Sequence, residues 1–310
     1  MNDEASVWAG IVAELGWTGR ATVNLAETLV DRHAASGRVA LRWEGRDGTQ
    51  RAVTFAELSN ASARHASMLR GLGVQPGDRV ACILPRVPEA IIAMLGAFRA
   101  GAIHLPIFSG FGAEATARRI ADAAAPVVVT HADVRDRMPR HWPHPVTIVT
   151  VPRADGSGVV AGDVDHRAAL AAAAPDFPPV PRRRTDPAVL LFTSGSTGPP
   201  KAVAIATNFP AAPWPAIRMA GDLRADDVFW PTGDPGWGYG LVCYAVALAV
   251  GQAAHLWEAN PTPETVLDFL ARHRITNMAT VPTLLRGLMA LGEKAVRRPD
   301  IAVRSVLSCG

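Results

Sequence analysis

Blocks of apolar residues at two different spacings alternate through the first half of the chain. Over residues 54–72 the apolar positions recur at helical spacing, and Thr54 with Glu57 makes a capping-box pattern. Gly73 stops that helix, and Pro76-Gly77-Asp78 turns the chain into a short apolar run over 79–84 that reads as a buried strand. Residues 89–100 then read as a helix, 102–107 as a strand, 113–123 as a helix, and 126–130 (PVVVT) as a β-branched strand. Continuous apolar strands between helices predict an α/β fold, with parallel-sheet αβ subdomains whose strands are covered on both faces.

Between residues 151 and 187 this alternation lapses. Gly156-Ser157-Gly158, the alanine run 171–174 and five prolines from Pro175 to Pro187 predict an irregular connector. It resumes with strands over 188–193, 228–231, 253–257, 277–281 and 305–308. Helices are expected over 239–249, 264–273 and 283–291. No internal repeat period is present.

The 310 residues leave room for two compact lobes, and 49% hydrophobic against 19% charged residues excludes wholesale disorder. With 31 Lys+Arg against 28 Asp+Glu the net charge is only +3, so no nucleic-acid tail is indicated. The densest basic run, Arg182-Arg183-Arg184, lies among prolines and reads as a solvated linker. Cys82, Cys243 and Cys309 are scattered, which argues against a disulfide framework or a zinc site. The first residues carry no signal-peptide pattern, and the most apolar stretch, 241–254, is too short for a bilayer span. A soluble cytoplasmic protein is the expectation.

The sharpest chemical feature is Leu190-Leu191-Phe192-Thr193-Ser194-Gly195-Ser196-Thr197-Gly198-Pro199-Pro200-Lys201. An apolar strand leads straight into four hydroxyls, two glycines and a lysine, one of only two lysines in the chain. Glycines let backbone N–H groups approach an anion, hydroxyls add donors, and lysine adds a point charge. This is equipment for holding a polyphosphate. A Walker loop fails on the spacing of Gly195 and Gly198 and on Ala202, and neither serine has the G-x-S-x-G frame of a nucleophile elbow.

At these residues the chain resembles the adenylate-forming (AMP-binding) superfamily, whose phosphate loop reads [YF]-T-S-G-[ST]-T-G-x-P-K-G. Phe192 to Lys201 matches it throughout, and Ala202 and Ala206-Thr207 depart from the usual Gly and Thr-His. Gly101-Ala102-Ile103-His104 with Phe108 and Gly110-Phe111-Gly112 is similar to a segment of the acetyl-CoA synthetase branch. Gly233-Asp234-Pro235-Gly236-Trp237 is similar to that branch's A-D-x-G-W, and Val281-Pro282-Thr283 with Arg286 and Leu288 to another family stretch.

The resemblance implies activation of a carboxylic acid by ATP to acyl-AMP, followed by transfer to CoA, with Mg²⁺ on the phosphates. It implies phosphate binding by Thr193, Ser194, Gly195, Ser196, Thr197, Gly198 and Lys201, Lys201 also stabilising charge in the reaction. Trp237, Gly238 and Tyr239 would border the acyl pocket, Tyr239 favouring a short acid. Arg135 and Arg137 fall where the acetyl-CoA synthetase branch places CoA-phosphate arginines, and solvated surface arginines are the alternative. Metal ligands are not identified.

The resemblance also divides the chain into a first αβ subdomain over about 73–220 and a second from about 1–72 with 221–310. The family's adenine loop, magnesium glutamate, ribose aspartate and C-terminal lid fall past Gly310, so a partial N-terminal domain is expected. Alternatives are an inactive truncated paralogue that binds nucleotide or a partner, and an adenylation domain that loads a carrier protein. Trp237 in its frame of alternating glycines does not complete a dinucleotide fingerprint. His104, His131, His255 and His273 lack ligand spacing and read as structural, and Glu114, Asp122, Asp234 and Asp268 form no acid/base pair.

Overall fold

A computed structural model describes residues 4–139, 142, 144–193 and 200–309. Its β-branched apolar runs pair mainly in parallel, as strands buried on both faces must. Among the described residues, one sheet has seven strands. Their order is Lys201–Ala206, Pro187–Thr193, Ile103–Pro106, Arg79–Ile83, Val127–His131, Thr147–Val151 and Val164–Asp165. A six-stranded sheet runs Ser305–Ser308, Asn277–Thr280, Phe229–Pro231, Ala254–Trp257, Val39–Glu44 and Gln50–Thr54. Each sheet is parallel except for one antiparallel hairpin at an edge: Pro187–Thr193 with Lys201–Ala206, and Val39–Glu44 with Gln50–Thr54.

One apolar cluster joins the two sheets. It gathers Leu25 and Leu29 of helix Leu25–Leu29, Ile91 and Leu95 of helix Pro88–Arg99, and Leu241, Tyr244 and Leu248 of helix Gly238–Ala249. Leu41, Phe229 and Leu256 enter it from the six-stranded sheet and Val189 from the seven-stranded one. The helix Gly238–Ala249 is apolar all round (GYGLVCYAVALA), a composition that suits only a helix enclosed on every side. Helix Ala113–Ala123 is amphipathic and covers the outer face of the seven-stranded sheet through Ile120 on Ile83, Leu105 and Val128. Helices Pro263–Arg272 and Pro282–Ala290 cover much of the outer face of the other, with Val266, Phe269 and Leu288 against Trp230 and Met278.

Most elements read from the sequence are present within one or two residues, including the capping box on helix Phe55–Gly71, where the Glu57 N–H donates to Thr54 Oγ1 at 3.2 Å. That helix packs Ala66 and Leu69 onto Val80 and Val127 of the seven-stranded sheet, while its Phe55 and Leu58 join the cluster between the sheets. The irregular connector contains helix His166–Ala172, because Asp165 caps it by accepting from Ala168 N–H at 3.0 Å and alanine favours the helix. The arginine run is not a free linker. Arg182 and Arg183 pair with Val23 and Thr22 as a short antiparallel bridge, and both side chains reach Asp186.

Candidate active site

Parallel strands deliver the loops at their carboxyl ends to one side of a sheet, where ligands bind in open α/β folds. Four such loops meet here. Pro85 and Arg86 follow strand Arg79–Ile83, Phe108 to Gly110 follow Ile103–Pro106, Asp234 follows Phe229–Pro231, and Glu258 to Asn260 follow Ala254–Trp257. Together with Arg46 and Arg137 they enclose a cleft of ≈ 240 Å³ between the two sheets.

The strand carrying the phosphate motif ends at the same side. Thr193 and Lys201 are opposite one another across the hairpin, both exposed, with Thr193 Oγ1 3.5 Å from the Lys201 carbonyl. Ser194, Gly195, Ser196, Thr197 and Gly198 lie outside the described residues. Two residues before Thr193, Leu191 sits so close to Gly238 that a Cβ on that glycine would lie 3.0 Å from Leu191 Cδ1. This contact joins the phosphate-motif strand to the Trp237 segment.

Trp237 is 45% exposed, which excludes an ordinary core tryptophan. Its ring lies 5.5 Å from both Phe108 and Phe111, and Arg119 stacks over Phe111 at 4.3 Å. The loop that presents it is held by close backbone approach. A Cβ on Gly236 would lie 2.9 Å from Phe108 Cα, and one on Gly240 2.2 Å from the Asp234 carbonyl oxygen. Asp234 Oδ1 accepts from Gly236 N–H at 2.8 Å. Burial pushes the Asp234 carboxyl up, and that hydrogen bond and Arg86, 3.7 Å away, offset the rise. Arg86 also donates to the Ala259 carbonyl at 2.9 Å, tying together loops from both sheets.

Tyr239 turns towards the last strand, its hydroxyl donating to the Leu307 carbonyl at 3.3 Å. Burial and the neighbouring Cys243 hold its phenol well above the ordinary tyrosine range. The two arginines assigned to CoA part company. Arg135 makes a two-pronged ion pair with the buried Asp163, at 2.7 and 3.1 Å, and its charge is already matched. Arg137 lines the cleft and donates to the Ser109 carbonyl at 3.2 Å.

Arg86 and Glu258 are cleft residues that the sequence reading did not single out. The only available signal was their place one or two residues past an apolar strand. Burial pushes the Glu258 carboxyl up, against the pull of Arg46 at 3.4 Å. Among the described residues no group of three or more His, Cys, Asp or Glu side chains forms a metal site. The described side chains therefore do not by themselves hold the Mg²⁺ that the resemblance implies. Nor is any helix among them long and apolar enough to cross a membrane.

An α/β chain with a Gly/Ser/Thr-rich hairpin and an aromatic wall at the strand ends defines a class, and the sequence profile of the AMP-binding enzymes matches residues 30–310. The chain belongs to that family. Among its relatives, the acetyl-coenzyme A synthetase of Citrobacter koseri is 34% identical over 92% of this chain and 47% of its own length. The enzyme of that name from Phycomyces blakesleeanus is 34% identical over 95% of this chain and 47% of its own length. A crystal structure of a Brucella canis acyl-CoA synthetase superposes with a TM-score of 0.91 at 36% identity, covering 97% of this chain and 55% of that one. The chain spans about half the length of the curated relatives it matches.

Proposed function

We propose that this chain supplies the phosphate loop and acyl-pocket wall of an AMP-forming acid–CoA ligase acting on a short carboxylic acid. The observation that carries this reading is the Leu191–Gly238 contact, which sets the exposed Thr193/Lys201 hairpin against the Trp237 wall at the carboxyl ends of the strands. The carboxylate oxygen attacks the α-phosphorus of ATP in line, the bond to pyrophosphate breaks, and acyl-AMP forms. The CoA thiol then attacks the acyl carbon, loses its proton and expels AMP. Negative charge gathers on the departing pyrophosphate, so fixed cations and donors lower the barrier without covalent help from the protein.

In this reading Lys201, Thr193, Ser194, Gly195, Ser196, Thr197 and Gly198 hold the β- and γ-phosphates. Trp237, Gly238 and Tyr239 bound the acyl group, a bulky Tyr239 fixed to Leu307 leaving space for a short acid. Arg137 is the better of the two arginines for a CoA phosphate, since Arg135 is neutralised by Asp163. ATP, the acid and CoA are the partners. The units are proposed to divide near residues 73 and 220, residues 1–72 going with 221–310.

Acid-dependent exchange of pyrophosphate into ATP, run on the native gene product with acids of increasing chain length, tests the proposal. Exchange greatest with the two- to four-carbon acids is expected, and Lys201→Ala should lower it by about 10²–10³-fold, the usual cost of one charge-stabilising group. Absence of exchange with every acid overturns the ligase reading.

A further inference from the structure

Three loops from the two sheets converge on one side chain of the cleft. Arg86 follows strand Arg79–Ile83, and its backbone is fixed from the six-stranded sheet, where Trp43 Nε1 donates to its carbonyl oxygen at 3.1 Å. Its Nη1 donates to the carbonyls of Trp257 at 3.3 Å and Ala259 at 2.9 Å, at the end of strand Ala254–Trp257 and in the loop beyond it. Its Nε is buried without a hydrogen-bond partner among the described residues and lies 3.7 Å from Asp234 Oδ2, in the loop after strand Phe229–Pro231. The planar guanidinium therefore spends one nitrogen on backbone carbonyls and turns another to a carboxylate, which a point charge on a flexible stem does not do.

What these contacts hold is the turn into Trp237. Asp234 is 8% exposed and accepts from the Gly236 N–H through Oδ1, which leaves Oδ2 to face Arg86. A buried carboxylate stripped of its counter-charge is strongly disfavoured, so without Arg86 the Asp234 side chain is driven to protonate or to turn outwards. Gly236 is packed tightly against the loop after strand Ile103–Pro106, where a Cβ on it would lie 2.9 Å from Phe108 Cα. A movement of Asp234 is thereby passed to the next residue, Trp237, whose ring lies 5.5 Å from that of Phe108.

We infer that Arg86 is a positioning residue for acid binding, which sets the Trp237 wall by clamping Asp234 to the end of strand Ala254–Trp257. The acid-binding role rests on the ligase reading, whereas the clamp on Trp237 does not. The test compares the native gene product with Arg86→Met, Arg86→Lys, Asp234→Asn and the double variant Arg86→Met/Asp234→Asn. In pyrophosphate exchange, Arg86→Met should raise the KM for the acid about tenfold, the usual loss for one hydrogen-bonded charge, and leave the KM for ATP within about twofold. Arg86→Lys should recover part of the loss, keeping the charge without the fork. In the double variant the Arg86→Met effect should shrink, because a neutral amide needs no counter-charge and still accepts from Gly236 N–H. Thr54→Ala weakens the fold at the opposite end of the six-stranded sheet and should leave the acid KM unchanged. Acrylamide quenching of Trp237, one of eight tryptophans and so read as the difference from Trp237→Phe, should increase in Arg86→Met whether or not exchange occurs. An unchanged acid KM, an equal rise in both KM values, additive effects in the double variant, or unchanged Trp237 quenching each overturns the inference. No exchange in the unsubstituted protein overturns the ligase reading and the acid-binding role with it, and increased Trp237 quenching in Arg86→Met then still supports the clamp.

Discussion

Lowering the pH from 7.5 to 5 should destabilise this protein steeply, because its buried histidines are kept neutral. His104, His166 and His255 are 2%, 2% and 3% exposed, and burial pushes their imidazoles down to about 3, 4 and 3. His65, enclosed beside His166 with Nδ1 3.1 Å from its Nε2, is also held well below the ordinary value of 6.5. In the unfolded chain each ring takes up its proton near pH 6.5, while in the folded chain it stays neutral to far lower pH. The stability is therefore intact above pH 6.5 and is lost progressively between 6.5 and about 3.

At pH 5 the gap is about 1.5 pH units per ring, or about 2 kcal/mol each. His104, His166 and His255 together then lose about 6 kcal/mol, comparable with the whole stability of an ordinary domain. Asp234 and Glu258 act in the opposite sense, since burial raises their carboxyls and protonation favours the folded form as pH falls. Urea unfolding followed by tryptophan fluorescence at pH 7.5, 6.5, 5.5 and 5.0 measures the loss. Calorimetry in buffers of different ionisation heat counts the protons taken up, expected to be about one for each of the four buried rings at pH 5, less those that Asp234 and Glu258 release. A stability change below about 1 kcal/mol over this range, or unfolding without proton uptake, would refute the argument.

Gly240→Ala forces a Cβ to 2.2 Å from the Asp234 carbonyl oxygen, so it should cost about 1–3 kcal/mol and alter Trp237 fluorescence. Gly112→Ala, where nothing lies within 4 Å, is its near-neutral control in the same Tm measurement. Thr54→Ala removes the cap of helix Phe55–Gly71 and should lower stability by about 1 kcal/mol in urea, with activity preserved. Tyr239→Phe loses one hydrogen bond to Leu307, about 1 kcal/mol or less, and should leave acid preference unchanged, whereas Tyr239→Ala should extend the exchange profile to longer acids. A profile that still peaks at the shortest acids in Tyr239→Ala removes Tyr239 from the acyl pocket.

Local signals made most of the architecture readable. Thr54 and Glu57 announce a helix start, β-branched runs such as Val127 to Val129 announce buried strands, and the glycine turns separate them. Three of the strands that escaped notice lie in the hairpins; Thr147–Val151 and Val164–Asp165 of the seven-stranded sheet and the short bridge of Thr22–Val23 with Arg182–Arg183 escaped it as well. Val39–Glu44 and Gln50–Thr54 carry Arg42, Glu44 and Gln50 on one face, because that stretch of their outer face is left uncovered, and the apolar pattern is correspondingly broken. Lys201–Ala206 is the edge partner of Pro187–Thr193, and its exposed first residues give no strand-like alternation.

The site divides in the same way. The Gly, Ser, Thr and Lys pattern from Thr193 to Lys201 suggests phosphate binding from the chain alone, since backbone freedom, hydroxyl donors and charge are gathered within one short segment. Which arginine is free is not. Arg135 and Arg137 are near-equivalent as letters, and only folding brings Asp163 against one and leaves the other in the cleft. The same holds for Arg86 beneath Asp234 and for Tyr239 turned to Leu307. Sequence determines what each segment is able to form. The balance of charge, burial and hydrogen bonding at a residue depends on neighbours tens to hundreds of positions away, and those neighbours are set only when the sheets pack.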